Sequence, residues 1–281
     1  MNFKKIKSYA KINLALHVTG KNLNLHKIES IISFIKLHDD VLIKKIEAKH
    51  HKISFHGEFS NNISKKNTVS KLFELLDKRK LLKNKKYQIK VNKRIPNQAG
   101  LGGGSMNAAN IIKYFLKKKI IKTTKKEILE ICRLIGSDVI LGLNSTSTIL
   151  TSKNKIKYFA GCKKFYILII KPHFGCATKY IYSKVKKFKS PKLNQPKKRM
   201  FDLDYLKTMD NSLETIAFLK YPKLRKIKIY LNNLSGPLFV RMTGSGSALV
   251  AYCRSKEICK KVKKQINKKY KNYWCIVSKT I

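Results

Sequence analysis

The segment Pro96-Asn97-Gln98-Ala99-Gly100-Leu101-Gly102-Gly103-Gly104-Ser105-Met106-Asn107-Ala108-Ala109 puts four of the chain's 13 glycines between positions 100 and 104, and nothing else in the sequence limits the fold as much. Before it, the alternation of Tyr87, Ile89 and Val91 predicts a strand. After it, Ala108, Ile111, Ile112 and Phe115 share one face of a helix predicted from about Ser105 to Lys118. Glycines between a strand and a helix let backbone N–H groups and the helix N-terminus converge on an anion, and a phosphate suits such a place. A plain turn is the alternative, but it needs one or two glycines rather than four. The segment lacks the Gly-Lys-Ser/Thr of a Walker A loop, and the third position of a dinucleotide fingerprint falls on Ser105. A second glycine pair, in Met242-Thr243-Gly244-Ser245-Gly246-Ser247-Ala248, reads either as a hairpin turn or as a loop able to approach a ligand.

Around these segments the apolar spacing alternates between two periods. Ala10-Ile12-Leu14-Leu16, Ile31 to Leu37, Val41 to Ile43, Phe165 to Ile170, Val240 to Met242, Ala248 to Tyr252 and Trp274 to Val277 predict strands. Helices are predicted over Thr68 to Leu82, capped by Asn67 or Thr68, and over Thr124 to Leu134, where Glu127 sits at the capping-box spacing from Thr124. Two more are predicted around Asp210 to Phe218 and over Lys256 to Lys269. Lys184 to Arg199, polar and containing Pro191 and Pro196, reads as a mobile loop or insertion. With mixed elements and no regular βαβ repetition, the fold class is α+β in two lobes, residues 1–160 and 161–281.

The net charge of +48, from 63 Lys+Arg against 15 Asp+Glu, raises the question of an anionic partner. The lysines are spread along the chain with abundant Ile, Asn, Tyr and Phe, as a strongly AT-rich coding sequence produces, whereas a binding surface would cluster them. In Lys256 to Lys269 the apolar Ile258, Val262 and Ile266 recur every four residues, which favours a core stripe with a solvated lysine face over an RNA-contact helix. Cys132, Cys162, Cys176, Cys253, Cys259 and Cys275 form no C-x-x-C pair, so zinc and redox motifs are not indicated and reduced thiols in a cytoplasm fit. The N-terminal Lys4, Lys5 and Lys7 are followed by Lys11, Asn13 and His17, which interrupt any signal-peptide core, and Phe165 to Ile170 is far short of the roughly 20 residues that span a bilayer.

Among charged residues, Asp138 in Gly136-Ser137-Asp138-Val139 and Lys11 in Ala10-Lys11-Ile12-Asn13 are candidate catalytic groups; a helix cap and an ordinary lysine are the plainer readings. Taken together, Ala10 to Leu14, Pro96 to Ala109 and Met242 to Gly246 resemble, in order and spacing, the three motifs of the GHMP kinase superfamily. The resemblance implies a ribosomal-protein-S5-like N-terminal lobe and a ferredoxin-like C-terminal lobe with the active site between them. It also implies ATP and Mg²⁺, and it is strongest to members that phosphorylate a cytidine-diphosphate-linked methylerythritol. On that likeness Asp138 is the general base and Lys11 holds and ionises the hydroxyl. Pro96, Ala99, Gly100, Leu101, Gly102, Gly103, Gly104, Ser105 and Asn107 cradle the phosphates, with Ser105 a candidate Mg²⁺ ligand. Asn13, His26 and Tyr182 meet the cytosine side, and Gly244, Ser245 and Gly246 close over the substrate. Monomer and homodimer both stay open; the unpaired cysteines and the short apolar runs favour a cytoplasmic enzyme with no membrane partner, and the scattered lysines make a nucleic-acid partner the less favoured reading.

Two departures stand out. Met106 occupies the place of a usual second Ser, which implies one hydroxyl fewer near the phosphates. Asn24-Leu25-His26 stands where the family usually has Gly-Tyr-His, so a stacking ring is missing and substrate affinity should be weaker by roughly 1 to 3 kcal/mol. The alternatives are a kinase of the same superfamily acting on homoserine, mevalonate or a sugar, a basic RNA-binding protein on this scaffold, and a decayed kinase.

Overall fold

The computed structural model describes residues 2–22 and 25–281. The chain packs into two compact units, each built from separated stretches. One takes the chain up to Ala10 with Leu37–Asn97 and Gly102–Ser145; the other takes Lys11–Lys36, Gln98–Leu101 and Thr146–Ile281. The two long strands β1 (Lys4–Lys21) and β2 (His26–Ile46) pair with each other and pass from one unit's residues to the other's. The sequence pattern predicts two strands where β2 is one, because His38-Asp39-Asp40 looks like a polar break.

In the first unit, β3 (Lys52–His56) runs parallel to β4 (Lys86–Asn92), and β4 is antiparallel to the end of β2 from Asp40↔Asn92 to Ile46↔Lys86. Helices α1 (Thr68–Lys78), α2 (Gly103–Lys117), α3 (Lys125–Ile135) and the short α4 (Val139–Gly142) complete it. Val41, Ile43, Leu72, Phe73, Ile89, Val91, Ile112, Phe115 and Ile131 form its core. The predicted caps are in place: Asn67 accepts from Val69 and Ser70 N–H in a capping box, and Thr124 accepts from Glu127 N–H. Helix α1 stops at Lys78, four residues before the predicted end, and Leu82 is buried beyond it in a turn.

In the second unit, β5 (Ser147–Leu150) pairs with Ser30–Ile32 of β2 and with β6 (Ile156–Phe159). The remaining strands are β7 (Tyr166–Lys171), β8 (Phe239–Met242), β9 (Leu249–Cys253) and β10 (Trp274–Lys279), and they form an antiparallel sheet in the order β10-β7-β9-β8. Its helices are α5 (Thr178–Ser183), α6 (Leu203–Thr208), α7 (Glu214–Lys220), α8 (Pro222–Asn232) and α9 (Lys256–Lys269), with a 3₁₀ turn at Lys198–Phe201. With α8 and α9 packed on the sheet, β7, β8, β9 and β10 follow the βαββαβ plan of a ferredoxin-like fold. Cys259, Val262 and Ile266 of α9 are buried while Lys260, Lys261, Lys264, Lys268 and Lys269 are exposed, which is the core-stripe reading of that helix.

Two expectations change here. The Lys184 to Arg199 segment is anchored rather than mobile: Lys189 N–H donates to Val18 O at 2.9 Å, Lys192 and Leu193 N–H donate to the Glu29 carboxylate, and Leu193 is fully buried. The helix predicted from Asp210 begins at Glu214, because residues 210–212 pair in extended form with Leu16. Among the described residues, no helix is long and apolar enough to cross a membrane.

Candidate active site

The glycine-rich loop has two differently built halves. Gly100 lies at φ +73°, and a Cβ there would strike the Thr243 carbonyl, so the position needs glycine on both counts. Around it the backbone is stitched to the second glycine segment. Thr243 Oγ1 donates to Gly100 O at 3.1 Å, Ser247 N–H to Gln98 O at 3.2 Å and Ala248 N–H to Ala99 O at 3.3 Å. Lys11 N–H donates to Leu101 O at 3.1 Å. Pro96, Ala99 and Leu101 are buried, so these three residues hold the loop in shape.

The other half opens α2. The predicted start at Ser105 moves to Gly103, which places two of the glycines in the first helical turn. Gly102 is the N-cap at φ 70°, ψ 13°, and no side chain caps the helix. Backbone N–H groups of a first turn have no intrahelical acceptor, and with the helix dipole behind them they favour an anion. Thr68 Oγ1 donates to Gly104 O at 2.7 Å and steadies this turn against the start of α1.

Behind the turn lies a buried polar cluster that the sequence pattern does not announce. Asp39, fully buried, pairs with Lys93 and accepts from Arg94 and Ile95 N–H, both at 2.8 Å, and from Asn107 Nδ2 at 2.9 Å. Asn107 is therefore placed on Asp39, with its Oδ1 buried and without a hydrogen-bond partner. Met106 is also fully buried, its sulfur lying 3.0 Å from where a Cβ on Gly142 would be. The expectation that Met106 removes a hydroxyl from the phosphate region is corrected, since that side chain points into the unit's interior. Ser105 stays near the Gly136-Ser137-Asp138 turn: a Cβ on Gly136 would lie 3.9 Å from Ser105 Oγ. Asp138 sits at the N-cap position of α4 but makes no side-chain cap hydrogen bond there, so the helix-cap reading does not describe it.

In the second unit Lys11 is buried and its Nζ donates to Asn13 Oδ1 at 2.7 Å. Asn13 Nδ2 donates to Ser30 Oγ at 2.8 Å and Asn13 N–H to Thr243 Oγ1 at 3.0 Å. Asn13 thus belongs with Lys11 and Thr243, and its amide is taken up there. His26 and Tyr182 meet as a pair, ring centroids 5.3 Å apart and tilted by 44°. Burial, with the charge of Lys21 adding to it, pushes the His26 pKa down, so its ring is neutral at neutral pH. Leu25 is 72% exposed; Asn24 lies outside the described residues.

The segment Gly244-Ser245-Gly246 is the turn joining antiparallel β8 and β9, so the hairpin reading holds, and it also packs on Gln98 to Gly100. Asn211, another residue not singled out from the sequence, donates its Nδ2 to Met242 O and Gly244 O, both at 2.8 Å. Ser245 Oγ lies 2.8 Å from Thr178 Oγ1. Among the described residues no group of three or more His, Cys, Asp or Glu could hold a metal ion by itself.

Models for the GHMP kinases N terminal domain and the GHMP kinases C terminal match residues 67–149 and 192–272. The chain is 57% identical over 281 residues to the 4-diphosphocytidyl-2-C-methyl-D-erythritol kinase of Pelagibacter ubique (strain HTCC1062), with all of both chains covered. It is 32% identical to the enzyme of the same name from Petrotoga mobilis (strain DSM 10674 / SJ95), covering 87% of this chain and 96% of that one. Among solved structures, a 4-(cytidine 5'-diphospho)-2C-methyl-D-erythritol kinase superposes with a TM-score of 0.77 at 19% identity over 99% of each chain. A homoserine kinase from Cytophaga hutchinsonii ATCC 33406 gives 0.72 at 17% identity, over 100% of this chain and 95% of that one. A strand–glycine loop–helix unit, a ferredoxin-like sheet and full-length likeness of this degree have one common explanation: the chain belongs to the GHMP kinases, ATP-dependent enzymes that phosphorylate small molecules.

Proposed function

We propose that this chain transfers the γ-phosphoryl group of ATP to a hydroxyl of 4-diphosphocytidyl-2-C-methyl-D-erythritol, a step in isoprenoid precursor synthesis. The observation that carries the reaction type is the side-chain-free N-terminus of α2 behind left-handed Gly102. A cradle of this kind fits a triphosphate, because Gly103 and Gly104 expose backbone there and Ser105 adds a hydroxyl. The donor set also fits a Mg²⁺ carried by the nucleotide: that ion keeps several waters and takes one or two protein oxygens beside phosphate oxygens, and Ser105 would supply one. When bound, Mg²⁺ neutralises charge on the β- and γ-phosphates.

In this reading Asp138 accepts the proton of the substrate hydroxyl and Lys11 stabilises the developing alkoxide, with Asn13 fixing where the ammonium points. Asp39 and Lys93 keep Asn107 and the first turn of α2 in register, so the phosphates meet preset donors. The His26–Tyr182 pair supports the cytidyl group: a neutral imidazole both donates and accepts, as a cytosine edge requires, and the tyrosine offers a face for stacking. Gly244, Ser245 and Gly246 serve the substrate side from a turn braced by Asn211. The six free thiols suit a reducing cytoplasm.

The deciding experiment is ADP release by purified protein with Mg²⁺ and the cytidyl substrate, beside homoserine and mevalonate. Turnover with another alcohol alone would keep the family and overturn the substrate; none with any would favour a decayed kinase. A Leu25→Tyr variant restores a ring beside His26 and is expected to lower KM for the cytidyl substrate roughly five- to tenfold, with kcat unchanged. An unchanged KM would mean that residue 25 does not reach the base.

A further inference from the structure

A charge cluster in the second unit, built on the buried His17 and Glu29 with the half-exposed Asp210, has no part in the chemistry above. His17, on β1 and 3% exposed, donates from Nδ1 to Glu29 Oε1 at 3.1 Å, and its Nε2 lies 3.0 Å from Asp210 Oδ1. The second approach is a charge contact rather than an aligned hydrogen bond, and Oδ1 has none. A neutral imidazole would turn a lone pair toward one of these carboxylates, so only the imidazolium suits both.

Each carboxylate organises a different part of the chain. Glu29, fully buried and three residues beyond His26, accepts from Lys192 N–H and Leu193 N–H, both at 2.9 Å. It thereby fixes the far end of the segment that leaves Tyr182. Asp210 pairs with Lys189 of that same segment at 2.8 Å and directly precedes Asn211, whose amide holds Met242 O and Gly244 O. The backbone of 210–212 is in turn paired with Leu16, next to His17.

We propose that His17 is a positioning residue for the alcohol substrate: by bridging Glu29 and Asp210 it locks together the segment carrying Tyr182 and the segment bracing Gly244. The proposal rests on the reading that His26, Tyr182 and the Gly244–Gly246 turn serve that substrate. The charge environment agrees with the geometry. Burial alone would lower the His17 pKa, but Asp210 and Glu29 outweigh it and raise the value above 6.5. Glu29 is lowered by His17 and the two N–H donors against the opposing effect of its own burial, and Asp210 is held well below the usual carboxylate range by His17 first and Lys189 as well. The charge of Asp210 also acts on Arg241, and that of Glu29 on Tyr205. Because the folded pKa of His17 is raised, its contribution is complete below 6.5 and is lost as pH climbs through the raised value; the carboxylate contributions fade only in acid.

The test is the pH dependence of KM between about pH 6 and 10, for the cytidyl substrate and for ATP separately. Wild-type KM for the alcohol is expected to rise at least about fivefold as the imidazolium deprotonates, with ATP KM and kcat changing less than about twofold. His17→Gln should start about tenfold higher and lack the step. Glu29→Gln keeps an acceptor for Lys192 and Leu193 but removes one charge, so the step should move to lower pH together with the His17 ring titration followed by NMR. A His17→Gln profile parallel to wild type, or proportional losses in kcat and both KM values, would overturn the proposal. Should His17→Gln not fold, the wild-type and Glu29→Gln titrations decide. If the cytidyl substrate is not turned over at all, the function reading fails, and a His17 ring that titrates below 6.5 would independently sink the bridge.

Discussion

Asp138→Asn is expected to lower kcat roughly 10²- to 10⁴-fold, the range lost with a general base, while KM for ATP and for the alcohol stays within about threefold. The substitution is nearly isosteric, and the Asp138 side chain contributes no cap hydrogen bond to α4, so that helix keeps its start. A variant that retained more than about a tenth of wild-type kcat would remove Asp138 from the proton transfer and leave positioning and electrostatics to carry the reaction.

Gly100→Ala is expected to damage stability and nucleotide binding together. An L-residue at φ +73° costs about 1 to 2 kcal/mol before any contact is considered. The added methyl then meets the Thr243 carbonyl, which is backbone and is held by the hydrogen bond it accepts from Gly246 N–H at 3.0 Å. Relief requires the loop to move, and the loop leads directly into the turn proposed to bind phosphate. A fall in Tm of at least about 5 °C is expected, with KM for ATP raised tenfold or more. Gly20→Ala is the matched control: a Cβ there finds only the Lys27 side chain at 3.5 Å, an ordinary contact, and Tm should barely change. Equal effects from the two substitutions would show that the close approach to Thr243 does not constrain the loop.

What could be read from the sequence was local. The spacing that defines α9, the Asn67 and Thr124 caps and the strand before the glycine loop involve residues within one turn or one pleat of each other. What escaped depended on partners far along the chain. Asp39 looks like part of a strand break until Arg94 and Ile95, 55 and 56 positions away, supply its donors. The Lys184 to Arg199 stretch looks unanchored until Glu29, 163 positions from Lys192, receives it. A signal was available: in a chain with only 15 acidic residues, an acid inside an apolar strand such as Glu29 or Asp39 already demands a buried partner. The glycine motifs were legible as backbone features because Gly100, Gly102, Gly244 and Gly246 all sit at positive φ, where residue type is restricted at short spacing. Met106 misled because its position in a motif says nothing about which face of α2 it occupies.

The interleaving of the two units also sets a timetable for a ribosome. Every stretch of the first unit has been made once Ser145 is added, so that unit has all its parts early. The early residues of the second do not: Glu29 must wait for Lys192 and Leu193, and His17 for Asp210. At ordinary elongation rates that interval is roughly ten to forty seconds, long compared with hydrophobic collapse. Throughout it, β1 and the front of β2 carry apolar side chains, a carboxylate and an imidazole whose burial partners have not yet been translated.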